Sequence, residues 1–502
     1  MTNKIMIIDD QIYDVIIVGS GAGGGTLARK LAEAGKKILV LEQGEFTEKE
    51  SSELVEVEVF KKEDYHTPEN WYDNGGEPFK PQSLYCVGGN TKIYSGALMR
   101  LREKDFEQVE HKDGISPEWP LKYQDFEPYY TEAETLYRVH GKVGDDPTEP
   151  PRSEDYPFPP VERTPQINEI SDRLTNYGLH PNYLAIGLRA DGLRSDSEDT
   201  GVSPAIQAGH DVTLKTSAKV VALHTNPSGT EVKAVEAIIK DQSYLFIGHI
   251  IVLSCGAINS AALLLRSANE KHPQGLANSS DLVGRNLMKQ LMTVILQQSP
   301  QPNSGLFQRS LYINDFYWGD QDFDYPMGHI QDSGGILQDV IFSESPPILS
   351  VAAKLMPGFG LKQLAKRSLG WWLQTEDLPE VNNRVTVKDE KLYLNYNPNN
   401  LEAHDRLLYR WQEILKATDK QSRGIHPYGG APISVLAHQC GTCRFGEDPQ
   451  SSVLDLNCRT HDIDNLYVVD SSFFPSSAAV SPALTIIANA LRVGDHLIER
   501  LN

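Results

Sequence analysis

The sequence predicts an α/β protein divided into at least two folding units. Three observations carry this: a strand, glycine turn, helix and strand in immediate succession near the start, further buried-strand runs late in the chain, and a length of 502 residues. That length is too great for one simple hydrophobic core, so two or more units, interleaved if need be, are expected.

The first unit reads YDVIIVGSGAGGGTLARKLAEAGKKILVLEQGE. The apolar run at 15–18 suits a strand covered on both faces. Gly19, Gly21 and Gly24 follow at G-x-G-x-x-G spacing. A helical pattern then runs through Leu27, Ala28 and Leu31 to Gly35, a suitable C-terminal stop. The second strand, 38–41, ends at Glu42. Such glycines let a turn close and let backbone approach a pyrophosphate at the helix N-terminus, while the acid accepts a hydrogen bond from a ribose 2′-hydroxyl. This Rossmann-like unit therefore predicts a bound dinucleotide, and Glu42 disfavours one with a 2′-phosphate.

Later segments extend the pattern. CVGGNTKIYSGALMRLREKDF brings a second glycine-rich turn at Gly88 and Gly89, followed by Asn90. DVTLKTSAKVVALHTNPSGTEVKAVEAIIKD alternates as strands around a Pro-Ser-Gly turn, which predicts a small sheet. IIVLSCGAINSAALLLRS reads as a buried strand, a Cys-Gly turn and a helix opening near Asn259. NLYVVDSSFFPSSAAVSPALTIIANALRVGDHLIERL gives a strand stopping at Asp470, a loop and a long amphipathic helix. Ser481 suits its N-cap and Pro482 its first helical position. Trp371 and Trp372 fall in an aromatic-rich stretch, with core packing favoured over a pocket lining.

Composition excludes several classes of partner. Lys and Arg total 47 against 68 Asp and Glu, a net charge of −21, which argues against nucleic acid and anionic membrane surfaces. No uncharged apolar run reaches the roughly 18 residues of a membrane span. MTNKIMIIDDQIYD has two aspartates where a signal peptide would be apolar, so the expected location is cytoplasmic.

The stretch LAHQCGTCRFGEDP places His438, Cys440 and Cys443 within six positions. A zinc knuckle would need a second close pair of ligands, which the five scattered cysteines do not supply, so no metal is expected. A redox dithiol would sit early in a small βαβ unit, whereas this pair comes late and reads into a turn. Buried inert thiols are the favoured reading. His210, His329, His404 and His461 lack comparable surroundings and read as surface or structural.

In order and spacing, the G-x-G-x-x-G unit, the Gly88-Gly89 segment, GAINSAALLLRS, and H-x-x-G-T with its terminal strand, loop and helix resemble the glucose-methanol-choline (GMC) oxidoreductase family. The resemblance covers nearly the whole chain. It implies a Rossmann-like FAD-binding domain assembled from 1–110, 200–285 and 431–502. With it is interleaved an α+β substrate domain from 111–199 and 286–430, whose antiparallel sheet covers the flavin ring. It implies oxidation of a small-molecule alcohol, a sugar or polyol being the leading guess, by hydride transfer to flavin N5. Val220 would meet the adenine through its backbone, and Gly88, Gly89, Asn90 and Asp470 would join the first glycine turn in holding FAD. The helix N-terminus at Ala483 would face the flavin N1–C2=O edge.

His438 matches the family's first active-site histidine. An imidazole suits the role because a hydride leaves an alcohol carbon readily only if the hydroxyl proton also departs, and an ordinary imidazole can take it at neutral pH. Most members carry asparagine or histidine as the second catalytic residue, where this chain has Ser481. Its hydroxyl can give and accept one hydrogen bond but cannot act as a base. Relatives with covalent flavin can place a histidine where this chain has Ile93, so noncovalent FAD is expected. The central segment also lacks the cysteines by which some relatives hold an iron–sulfur cluster. Electrons would pass from the flavin to oxygen, a quinone or a soluble carrier. Two alternatives stay open: a non-oxidative flavoprotein such as a lyase, to which Ser481 gives weight, and a catalytically idle flavin-binding partner protein.

Overall fold

The long strand Met6–Val18 organises the main sheet of the computed structural model, which describes residues 6–47, 67–144, 146–298, 309–335, 366–419, 423–425 and 433–502. Its second half, Val15 to Val18, is buried on both faces and pairs in parallel with Ile38–Leu41 on one side and Gln242–Leu253 on the other. The expected strand is thus extended at its front by an exposed ribbon, in which Met6, Ile7 and Ile8 run beside Ser243, Tyr244 and Leu245. Val212–Lys215 adds to Ile38–Leu41 in parallel, and Leu466–Val468 pairs in parallel with the end of Gln242–Leu253.

The hairpin Ala218–Thr225 and Val232–Ile239 runs back to the main sheet and continues it, giving seven strands among the described residues. The reason is the length of Gln242–Leu253. Its first half pairs antiparallel with Val232–Ile239 and its second half with Leu466–Val468, so one strand serves both neighbours on the same edge.

A second, antiparallel sheet has six strands in the order Arg423–Ile425, Leu291–Gln298, Ser368–Thr375, His329–Gly335, Leu311–Ile313 and Asn182–Tyr183. Its two faces differ because side chains alternate along a strand. Ile295, Ile330, Trp371 and Leu373 point back into a separate apolar cluster with Leu407, Trp411 and Ile414 of the helix Leu401–Thr418. Met292, Val294, Gln331 and Trp372 point the other way, into a cavity. The two tryptophans therefore divide. Trp371 packs edge-on against Trp411 with its indole N–H on Gln297, while Trp372 lines the cavity.

The terminal helix Ala483–Leu501 buries Leu484, Ile487, Ala488 and Leu491 against the helices Ala22–Glu33 and Tyr123–Leu136. It starts one residue later than the sequence suggested, and Ser481 is not its N-cap. The carbonyl of Pro482 accepts the first helical bond, from the Ile486 N–H at 3.0 Å, so the proline itself takes the cap position and no side chain caps the helix. Ser481 is thereby released to the cavity wall.

Candidate active site

One cavity of about 510 Å³ lies between the C-terminal ends of the parallel strands, marked by Val18, Leu41, Ser254 and Asp470, and the open face of the antiparallel sheet. Ligands of open α/β sheets bind at such strand ends. The cavity gathers Gly19, Gly21, Glu42, Gly89, Asn90, Val220, Asp470, His438, Ser481 and Ala483. Gly24 and Gly88 stand behind its wall.

At the nucleotide end the glycines are constrained by backbone. Gly19 sits at φ +97°, where a Cβ would lie 2.4 Å from the Ser254 carbonyl oxygen. A Cβ on Gly23 would lie 1.9 Å from the Val469 oxygen, and on Gly24 2.0 Å from the Gly19 oxygen, so helix and strands touch directly. Gly21 differs. A Cβ there would meet nothing within 4 Å and would project into open space at the cavity wall. The helix Ala22–Glu33 that begins beside it has neither a side-chain cap nor an acid in its first turn. Its N–H groups and partial positive charge are left for an anion.

Glu42 is buried, and both its oxygens are in use: Ser20 donates its N–H (3.0 Å) and hydroxyl (2.7 Å) to one, Gly44 its N–H (2.9 Å) to the other. Burial raises its pKa, and these bonds oppose the rise. Gly88, at φ +92°, donates its N–H to the Ser20 hydroxyl at 3.0 Å, tying the second glycine turn to the first. Asn90 accepts from the Leu84 N–H at 2.8 Å. Asp470 clamps two loops, accepting from the Gly256 N–H and Ser260 hydroxyl on one oxygen and from the Ser472 N–H and hydroxyl on the other. At Val220 the pairing slips by one residue, a bulge that turns the strand edge toward the cavity. An open cradle at Gly21, a bare helix N-terminus and a carboxylate fit the diphosphate and ribose of a dinucleotide.

At the far end His438 lines the cavity. The Gln290 amide nitrogen donates to the carbonyls of Ser477, Ala478 and Val480 at 2.9–3.1 Å. Its oxygen must therefore be the atom 2.7 Å from His438 Nδ1. That assigns the tautomer: Nδ1–H donates to Gln290, and Nε2 keeps its lone pair. Gln374 closes the triangle, its amide nitrogen 3.0 Å from Nδ1 and 3.3 Å from the same oxygen; because that oxygen can only accept and lies closest to Nδ1, the ring proton goes to it, and Gln374 donates to the oxygen as well. Burial, with the nearby Arg309 charge, lowers the His438 pKa to about 4, so the ring is neutral at neutral pH. Gln290, Gln374 and Arg309 escaped sequence reading, since each is an isolated polar residue in a strand-rich region with no spacing to mark it.

The four other histidines considered do not line this cavity. His329 and His404 are buried and bonded to Asn314 and Thr293 respectively, and His461 bonds Ser452. Cys440 and Cys443 are free, buried thiols, and burial raises the pKa of both. Among the described residues no cluster of His, Cys, Asp or Glu could hold a metal ion, and no helix is long and apolar enough to cross a membrane.

Fold and cavity together describe a dinucleotide-binding protein with a neutral histidine facing the cofactor space. Family models described as GMC oxidoreductase match residues 13–292 and 383–490, and the chain belongs to that family. Members are FAD-dependent oxidoreductases acting on CH–OH groups, and this protein is one of them. It is 29% identical to the 6'''-hydroxyparomomycin C oxidase of Streptomyces lividus, over 98% of this chain and 92% of that one. It is likewise 29% identical to the 2-methyl-1,2-propanediol dehydrogenase of Mycolicibacterium austroafricanum, over 97% and 96%. The solved structure of pyridoxine 4-oxidase from Mesorbium loti shares the fold, with a TM-score of 0.71 at 19% identity over 96% of this chain and 99% of that one.

Proposed function

We propose that the protein oxidises a small-molecule alcohol, of the sugar or polyol kind, with His438 as the base and FAD held without a covalent bond. Bound FAD would supply the two-electron hydride acceptor. The carbinol carbon loses a hydride, its hydroxyl loses a proton to His438 Nε2, and a carbonyl forms. The observation that carries this reading is the Gln290 contact, which commits Nδ1 and leaves Nε2 as the proton acceptor. Relatives named as oxidases and as a dehydrogenase of alcohols support the reaction type. Ile93, on the cavity wall, offers only hydrocarbon where a covalent link would need a nucleophile, which supports a noncovalent cofactor.

The division into domains stands on the same footing. The main-sheet strands fall within 1–110, 200–285 and 431–502, and those of the six-stranded sheet within 111–199 and 286–430, in support of that assignment, while a four-stranded sheet joins Trp71–Tyr72 and Pro78–Phe79 to Arg384–Lys388 and Lys391–Asn395 across the boundary. The helix Tyr123–Leu136 packs across the boundary, with Tyr130 bonded to Thr485 at 2.8 Å. Five free thiols suit the reducing cytoplasm.

Anaerobic mixing of the yellow protein with a panel of sugars, polyols and simple alcohols tests the reading. At least one should bleach the flavin, and acid precipitation should release that flavin into the supernatant. No bleaching across the panel removes the proposed reaction, and colour left in the washed pellet removes the noncovalent cofactor.

A further inference from the structure

The substrate end of the cavity carries a charge that alcohol oxidation alone does not require. Arg309, two residues before the strand Leu311–Ile313, lines the cavity with its guanidinium 5.8 Å from the Trp372 ring centroid. Arg194 lines the same cavity and donates to the Tyr94 carbonyl at 3.2 Å. Among the described residues no carboxylate lies within ion-pair distance of Arg309. Asp332, the acid that most affects it, is occupied: one oxygen accepts from the Ser310 and Leu311 N–H groups at 2.9 and 3.3 Å, the other from the Ser310 hydroxyl at 3.5 Å.

The acids on the cavity wall, Glu42, Glu69 and Asp470, belong to the nucleotide end, where they hold Ser20, Tyr85 and the Gly256 turn. Among the described residues the wall near Arg309 is otherwise apolar or neutral: Met292, Val294, Gln331, Ser333 and Trp372. Desolvation lowers the pKa of Arg309 to about 10 and, with Arg309 as second cause, that of Arg194 to about 9. His438 feels the same charge, so Arg309, Arg194 and the base share one electrostatic neighbourhood. A half-buried guanidinium with no carboxylate in reach among the described residues is costly, and an anion that desolvates with it recovers that cost through paired, charge-assisted hydrogen bonds. A neutral polyol would leave it unmet.

Resting on the reaction assigned above, we propose that the substrate alcohol bears an anionic group, a carboxylate or a phosphate, which docks on Arg309 and sets the carbinol carbon beside His438. Arg309 then selects among alcohols, and the base operates on whichever hydroxyl that anchor presents.

The test uses the FAD-loaded enzyme and small probes that cannot be oxidised: acetate and oxalate for the carboxylate arm, inorganic phosphate for the other, and acetamide as the neutral control. Binding is read from the perturbed flavin absorption. Acetate, oxalate or phosphate should bind at least about tenfold more tightly than acetamide, and Arg309→Met should weaken the anion by about ten- to hundredfold, the worth of a hydrogen bond to a charged group. Arg309→Lys should restore part of it. Equal binding of acetate, phosphate and acetamide to the native enzyme overturns the proposal whether or not the variants fold. So does an anion affinity unchanged in Arg309→Met. Bleaching by alcohols is measured separately, so a failed anion site and a failed oxidation reading give different results.

Discussion

The two ends of the cavity are built on different plans. At the nucleotide end the contacts are mostly backbone: four glycines within six positions, one helix N-terminus and one acid at a strand end, all inside residues 19–42. At the substrate end they are side chains, drawn from Gln290, Arg309, Trp372, Gln374, His438 and Ser481. A site made of backbone needs residues of one kind at fixed spacing. A site made of side chains needs only that distant strands bring them together.

The glycine turn gives the strongest way to break this comparison. Gly23→Ala drives a Cβ into the Val469 carbonyl, a backbone atom that cannot yield, and should cost about 4 kcal/mol or more of stability, at the extreme of single substitutions. Gly21→Ala should leave thermal stability nearly unchanged, since its Cβ meets no protein atom, yet weaken FAD by about 1–3 kcal/mol as an intruding methyl does. Unfolding curves and flavin titrations separate the two. A Gly21→Ala protein that binds FAD normally would show that this turn merely packs.

The substrate end should break through rate with little loss of fold. His438→Ala should retain FAD but slow flavin reduction by about 10² to 10⁴-fold, the usual contribution of a positioned base. The depressed His438 pKa fixes the sign of the pH dependence. The ring accepts a proton above about pH 4, so kcat/KM should be level above that value and fall as pH drops through it. Gln290→Glu places a carboxylate against Nδ1–H, favours the charged ring and should move this acid limb upward. A native limb near the ordinary histidine value, or one that Gln290→Glu leaves in place, would remove Gln290 as the group that orients the base.

Ser481 should give the smallest effect and sharpen the boundary between packing and chemistry. Because Pro482 takes the cap position, Ser481→Ala should lose much less than the about 1 kcal/mol that a missing cap costs. Ser481→Asn, with a longer amide in the cavity, should change the rate of flavin reduction severalfold at similar stability. If Ser481→Ala lowers stability by a full cap's worth and neither variant changes the rate, the residue belongs to the helix after all.

The strand, turn, helix and strand at 15–42 were legible because each step is local: apolar runs set strands, glycine spacing sets a turn, and a carboxylate ends the second strand. His438 was legible only through the family pattern around it, since one histidine in a loop carries no spacing of its own. The cap at Ser481 was misread because Ser-Pro satisfies the local rule at either register, and only the Ile486 to Pro482 bond distinguishes them.

The sequence by itself thus determined the strand, glycine turn, helix and strand at 15–42 and the acid at Glu42, whose side-chain bonds to Ser20 and Gly44 are local. Tertiary structure alone decided three things: which tryptophan faces the cavity, which tautomer His438 adopts, and that Arg309 stands beside it without a carboxylate among the described residues. The first follows from a strand's alternation once its two faces have different neighbours. The others follow from electrostatics and hydrogen bonding between residues far apart in the chain, such as the 148 positions from Gln290 to His438, a separation across which sequence patterns carry no geometry.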